Sequence, residues 1–534
     1  MRTLFISLFV FISFINAKEI SMEFLNSKPR SIYKDFYIWR YLDQNITSDS
    51  AIKLLGETKR VNRKLFLRFA KRIDDKSYKK IAKCYKMKPK EFVKSDADCI
   101  RIGFSVYDAT KISKKELKTI DDKIKDRYKE LDKALKVLMS DKPFKKLLQS
   151  DKKTFFSVFN HIGSKYRLKY FNKKIPKKIL AKLVEDRKFN YSVKLIVTDT
   201  KLTNLQNSLL DTNSSTLNAQ ANFFLAMNAL RHKHKKRALK YLSIAGKKFY
   251  YRFDKDKVLF WKYLITKDLD TLYKLTKSFD LNIYSIYALQ KLNGVKPLDI
   301  ISNIKCDPTV KAKSSINDPF VWLDILKKLN SKDSNLTKIA DNFNSCQELP
   351  FKAFTLERLN YKKRNYFIVP YKKYLQHISM KKKALILSIA RQESRFIPAC
   401  ISSSYALGMM QFMPFLASAT AKNLKMKNFD LDDMFDPKTA YSFASKHLDY
   451  LDRKLHHPLL VAYAYNGGIG FTLRMLKSGL FKKGKYEPYL SMELVPYDES
   501  KRYGKKVVAN YIVYNSIFGK NISIKALFRK LIEP

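Results

Sequence analysis

Chain breakers are scarce in this sequence: 13 glycines and 16 prolines are spread over 534 residues. Gly and Pro are the residues that end helices and interrupt strands. The long stretches between them are rich in Lys and Leu, which favour helix. The expectation is therefore a mainly all-α chain. Its length exceeds what one ordinary core serves, so two or more domains or one extended repeat array are expected.

From about Lys18 to Leu359 apolar residues recur three and four apart, the period of a helix face. Leu131, Ala134, Leu135 and Leu138 are one such set, and Phe155, Val158, Phe159 and Ile162 another. Between Ala219 and Gly294 the pattern predicts short helices in series: Asn222 to Leu230, Ala238 to Phe249, Val258 to Leu264, Leu272 to Phe279 and Tyr284 to Leu292. Stacked in pairs they make an α-solenoid; an irregular helical domain fits as well, because no period can be fixed. His161, His232 and His234 form no ligand set. Tyr361 to Arg364 is a charged break followed by Pro370, which puts a domain boundary near Tyr366.

A formal charge of +57 biases partners towards polyanions, although lysines spread along the whole chain also serve simply to solvate helices. The N-terminus separates the candidates. Met1 and Arg2 are followed by an apolar run from Leu4 to Phe14, too short for a stable membrane span. Ile15-Asn16-Ala17 then places a small residue before Lys18. This is the pattern of a cleavable secretory signal over residues 1–17. The mature chain is expected to be exported, with no stable membrane anchor and no nucleic-acid partner.

Export makes disulfides possible. The local pairings are Cys84 with Cys99 and Cys306 with Cys346, leaving Cys400 free; five small buried hydrophobes are the alternative. No spacing suggests a metal site. Asn45, Asn213 and Asn335 each open an Asn-x-Ser/Thr triplet with Asp two positions earlier. This acidic extended sequon resembles that used by bacteria that glycosylate exported proteins.

Chemistry concentrates after Tyr366. A helical run from Ala384 to Phe396 is stopped by Pro398, with Glu393 near its end among Ile386, Ile389, Ala390 and Phe396. An apolar edge and a helix C-terminus both disfavour a negative charge, so a raised pKa and a general-acid role are expected. A solvated Glu, or one paired with Arg391 or Arg395, is the plainer reading of that residue alone. Ser402 to Pro414 follows, with Gly408, the amide of Gln411 and the soft side chains of Met409, Met410 and Met413. Ala462 to Gly470 is a helix-to-loop transition rich in Gly, and Met492 to Tyr503 leads into a last helix.

In this order and spacing the four segments resemble the catalytic domain of the soluble lytic transglycosylases. That family's pattern is a helix ending in Glu-Ser, then Gly-Leu-Met-Gln-x-Met-Pro, then Ala-Tyr-Asn-Ala-Gly-x-Gly, then Glu-x-Ile-Pro-Phe-x-Glu-Thr-Arg-x-Tyr. Here these fall on Glu393-Ser394, Gly408 to Pro414, Ala464 to Gly470 and Glu493 to Tyr503. Ile283 to Gly294 is similar to a helix of the family's N-terminal part. The resemblance implies an α-superhelical ring over residues 18–299, a helical linker over 300–365 and a lysozyme-like catalytic domain over 366–534. There are departures. Met409 stands where Leu is usual, Tyr405 replaces a common Gly, Gly467 replaces Ala, Val495 replaces Ile, Tyr497 replaces Phe, and Ser500 and Lys501 replace Thr and Arg. They touch the shape of the cleft and not the proton transfer.

The resemblance also implies the reaction. The β-1,4 bond between N-acetylmuramic acid and N-acetylglucosamine in peptidoglycan is cut without water, in the periplasm, by a monomer that needs no cofactor and no metal. Glu393 protonates the leaving oxygen, the 2-acetamido group attacks its own anomeric carbon, and Glu393 then takes the C6 hydroxyl proton as a 1,6-anhydro ring closes. One carboxyl serving twice replaces the usual pair, with Asp430, Asp432, Asp433 and Asp436 as the other acids of the region. By the same carry-over Ser402 contacts Glu393 or the C6 hydroxyl, Gln411 holds the N-acetyl group, and Met413 lines the sugar site. Tyr465 stabilises charge and Glu493 binds substrate, unless it pairs with a nearby Lys. A goose-type lysozyme-like hydrolase and a non-catalytic wall-binding scaffold are the alternatives.

Overall fold

The computed structural model describes residues 18–293, 299–361 and 363–533; the expected signal segment, 1–17, lies outside them. Helices follow one another from Met22–Asn26 to Ile524–Arg529, and the only strands among the described residues are the pairs Ile300–Ile301 and Asn365–Tyr366. The chain is all-α. No helix among the described residues is long and apolar enough to cross a membrane.

Packing divides the chain into two compact units, and these are not the consecutive segments expected. One unit gathers residues 18–72, 301–361 and 366–450; the other gathers 73–293, 299–300, 363–365 and 451–533. The interleaving has specific causes. In the first unit the Ile32–Tyr41 helix is almost wholly buried, and Arg40 binds Asp430 at 2.6 Å and Asp432 at 2.7 Å. Tyr37 donates to Asp432 at 3.1 Å. In the second, Arg502 reaches Asp254 at 2.7 Å, and the Asp498–Ile517 helix packs on both Pro458–Gly467 and Ile283–Lys291. Buried charges of this kind require their partners, so each tail of the chain is claimed by an earlier segment.

The serial helices of the second unit are Ala219–Arg231, Lys235–Lys248, Arg252–Thr266, Leu269–Thr276 and Ile283–Lys291. Each packs on the next in sequence, as stacked helices do. Each begins earlier than its apolar pattern. Three are capped, with Asn218, Asp268 and Asn282 accepting from the amides of Ala221, Thr271 and Ser285, and the other two open on the cationic residues Lys235 and Arg252 with no side-chain cap. Cys84–Cys99 and Cys306–Cys346 are disulfide-bonded, and Cys400 carries the free thiol. Closing loops of these lengths contributes about 3 to 4 kcal/mol each by chain entropy.

Candidate active site

The Met380–Glu393 helix is the centre of the first unit. Every residue from Ala384 to Arg391 is buried, so it is covered on all sides. One buried residue is charged. Arg391 donates to Glu357 at 3.0 Å and to the Tyr366 carbonyl at 2.9 Å, and its guanidinium lies 4.0 Å from the Phe367 ring centre. Arg395 binds the other oxygen of Glu357 at 2.8 Å. Both arginines that flank Glu393 in sequence are thus held by Glu357, a carboxylate the sequence did not single out.

The helix stops without a glycine. Arg395 and Phe396 both take left-handed backbone, with φ of 59° and 66°, and Glu393 is the last helical residue, half-buried. The Ser394 hydroxyl donates to the Met409 carbonyl at 2.9 Å, clasping the helix end to the following loop. Leu407 and Phe412 exchange backbone hydrogen bonds of 2.8 and 3.0 Å, and the Gly408 amide donates to Cys400 at 2.9 Å. Tyr405, at φ 66°, and Gln411, at φ 49°, join Arg395 and Phe396. Four of the eleven non-glycine residues with positive φ among the described residues therefore fall within seventeen positions beside Glu393. Each costs on the order of 1 kcal/mol or more, and such strain gathers where a loop must be pre-set for function.

Two departures from the family pattern find their reasons here. Tyr405 is buried and packs on Phe36 and Trp39, with ring centres 5.9 and 5.8 Å apart, so its bulk points into the core. Gly467 is required because a Cβ there would stand 2.8 Å from Ser500 Oγ and 2.7 Å from the Phe471 ring. Gly408 is the strictest position. Its φ is +71°, and a Cβ would stand 2.0 Å from the Met434 carbonyl oxygen. Gly408→Ala is expected to cost about 3 kcal/mol or more, read as a fall in the thermal midpoint of the full chain; a shift under about 1 °C would refute this reading of the loop.

Gln411 Nε2 donates to the carbonyls of Gly408 at 2.8 Å and Cys400 at 3.2 Å. Its Oε1 accepts from none of the described residues, so the amide presents an acceptor. Ser402 Oγ accepts from the amides of Ala406 at 2.9 Å and Ser404 at 3.3 Å; it holds the turn that carries Tyr405. Met409 and Met410 are fully buried, whereas Met413 is half-exposed ahead of the Pro414–Asn423 helix. The Cys400 thiol is pushed up to about 12, chiefly by burial, with the Glu393 charge adding to it.

None of Asp430, Asp432, Asp433 and Asp436 is unspent. Asp430 and Asp432 bind Arg40, Asp433 accepts from the Asp430 amide at 2.9 Å, and Asp436 caps Thr439 at 2.9 Å.

Tyr465 and Glu493 belong to the second unit. Tyr465 is half-buried near the end of the Pro458–Gly467 helix. Its neighbour Asn466 is fixed by Ser500 at 2.6 Å and Glu499 at 3.2 Å. Glu493 takes the ion pair with a nearby Lys that was the alternative to a substrate contact. It is 2% exposed, its carboxylate binds Lys505 at 2.6 Å and accepts from the Tyr284 hydroxyl at 2.6 Å. It is an interior packing centre of this unit, where a substrate contact was expected.

Comparison with known proteins bears on this segment of the chain. Residues 371–487 match the family model described as "Transglycosylase SLT domain". The chain is 31% identical over 147 residues to a putative soluble lytic murein transglycosylase of Haemophilus influenzae, covering 27% of this chain and 24% of that one. It is 28% identical over 135 residues to the soluble lytic murein transglycosylase of Escherichia coli strain K12, covering 25% and 20%. The matched stretch thus spans a quarter or less of the curated relatives. Among solved structures, the 70 kDa soluble lytic transglycosylase from Escherichia coli aligns over 93% of this chain and 83% of that one, at 15% identity and a TM-score of 0.48. Glu393 lies within the segment that matches this domain model.

Proposed function

We propose that the chain is a periplasmic lytic transglycosylase that cuts the bond between N-acetylmuramic acid and N-acetylglucosamine in peptidoglycan and leaves 1,6-anhydromuramic acid ends. The carrying observation is the clasp that fixes half-exposed Glu393 to a strained loop presenting Gln411 Oε1. Gln411 Oε1 accepts the acetamido N–H, which directs the acetamido oxygen towards C1 and makes it more nucleophilic. Glu393 gives its proton to the leaving oxygen. The same carboxylate then takes the proton of the C6 hydroxyl as that oxygen closes on C1. Occupation of Asp430, Asp432, Asp433 and Asp436 supports one carboxyl acting in both steps. Met413 and Tyr465 are proposed sugar-site residues, and export by residues 1–17 places the enzyme with its substrate.

Mass spectrometry of products from purified peptidoglycan is the test. Anhydro ends are lighter by one water than reducing ends; products carrying only reducing ends would transfer the chain to the hydrolases and refute the C6 step.

The three acidic sequons are proposed glycosylation sites. Asn45, Asn213 and Asn335 are all exposed and each stands in a loop. Asn335 also caps the Leu336–Asp341 helix through Oδ1, which leaves its Nδ2 for the sugar. Intact mass of protein from a host with that pathway should exceed the bare polypeptide by one to three oligosaccharides; a mass equal to the polypeptide would sink the proposal.

A further inference from the structure

A cavity of about 680 Å³ lies wholly among residues 107–170, and none of its residues belongs to the site around Glu393. Its volume falls in the range of small-ligand sites, roughly 300–1,000 Å³. Three tyrosines give it aromatic surface. Tyr107 is 48% exposed, and its ring lies over Gly163, where a Cβ would stand 2.7 Å from a ring carbon. Tyr166 and Tyr170 have ring centres 4.5 Å apart, and Phe171 braces Tyr166 edge-on at 5.6 Å.

The wall that carries Tyr170 is a π-helical turn, Arg167–Phe171. Such turns are rare and gather at functional sites. This one is pinned from below: buried Arg167 donates to the carbonyls of Phe159 at 2.9 Å and Ile162 at 2.8 Å. The turn is therefore a fixed feature that sets Lys169 and Tyr170 on one wall, next to Tyr166.

The charges in the cavity are one-sided. Lys111, Lys114, Lys165 and Lys169 line it against the single carboxylate of Asp141. Lys114 pairs with Asp141 at 2.6 Å, and Lys111 pairs with Asp108 at 2.9 Å. Lys165 and Lys169 have no carboxylate partner among the described residues. Aromatic faces take up the C–H face of a sugar ring; tyrosines alone would suit a neutral glycan. Unspent ammonium groups beside them select a carboxylate.

We propose that this cavity binds a carboxylate-bearing saccharide, and, resting on the function proposed above, that the saccharide is a peptidoglycan fragment with its stem peptide.

The test titrates the full chain by calorimetry with the disaccharide N-acetylglucosaminyl-N-acetylmuramic acid carrying a stem tripeptide. This probe lacks the bond that is cut and is not consumed. Two binding events are expected. Lys165→Glu with Lys169→Glu should remove one of them, weakening it at least tenfold, and Tyr107→Ala should weaken the same event. Neutral chitobiose should bind that site at least tenfold more weakly. If the function proposed above is wrong, a single event is seen, and it is the one the lysine substitutions remove. A titration unchanged by the substitutions, or equal affinity for chitobiose, overturns the proposal whatever the cleavage assay shows.

Discussion

Glu393→Gln should leave the chain folded and lower strand cleavage by on the order of 10³- to 10⁴-fold. A single general acid or base is worth about 10²- to 10⁴-fold, and one group that acts in both steps sits at the upper end. Glutamine keeps the shape of the side chain and loses only the transferable proton. The fold is insulated from the change, since the buried charge of the helix is carried by Arg391 and Glu357, and the helix end is held by Ser394. The measurement is anhydromuropeptide release from sacculi, alongside a thermal midpoint unchanged within about 2 °C. Retention of more than a tenth of the activity would remove Glu393 from the mechanism, and full retention of sacculus binding without cleavage in the unsubstituted chain would favour a scaffold. Asp432→Asn is the control: it touches the Arg40 pair and should change stability while leaving the products the same.

Helix content could be read from the sequence because it is local. Few breakers and a period of three and four predict helices wherever one face is buried, and the serial helices between Ala219 and Lys291 lie where the apolar pattern puts them. Their starts were misplaced because a first turn need not carry an apolar face: three are set by a capping side chain and two open on Lys or Arg. The compact units were not legible. Nothing near Arg40 marks Asp430 as its partner 390 residues on, and nothing near Tyr284 marks Glu493, 209 residues on. The same holds inside the site. Glu357 carries no motif, yet it holds both arginines beside Glu393. Ser402 matches a family position, and its hydroxyl oxygen also accepts from two amides of its own turn. Motifs report which residues recur together; they do not report which of them face the interior.

Lys505→Met should destabilise the second unit by roughly 3–5 kcal/mol, because it strands the buried carboxylate of Glu493. In the native chain that carboxylate is fully enclosed. Lys505 Nζ lies 2.6 Å from one oxygen, the Tyr284 hydroxyl 2.6 Å from the other, and Lys505 also donates to Tyr284 at 3.0 Å. Burial alone would raise the Glu493 carboxyl, but Lys505, Lys257 and Tyr284 outweigh it and hold it below the usual range. Burial presses equally on the cation, pushing Lys505 down to about 8. The sign of the pH dependence follows. With the folded carboxyl below its unfolded value of about 4.3, its stabilisation is complete above that value and is lost as pH falls through the folded one. In Lys505→Met the largest opposing term is gone and burial raises the folded carboxyl above its unfolded value. The variant should therefore be weakest at neutral pH and recover part of its deficit as pH falls towards about 5, opposite to the native chain. Joint replacement, Glu493→Leu with Lys505→Met, should recover much of the loss, since apolar groups can replace a buried pair. Thermal midpoints across pH 4 to 8 decide it, with a fall on the order of 10 °C expected for Lys505→Met at pH 7. Cleavage well below that midpoint should persist in Glu493→Gln, with KM unchanged. A raised KM with native stability would return Glu493 to the substrate site.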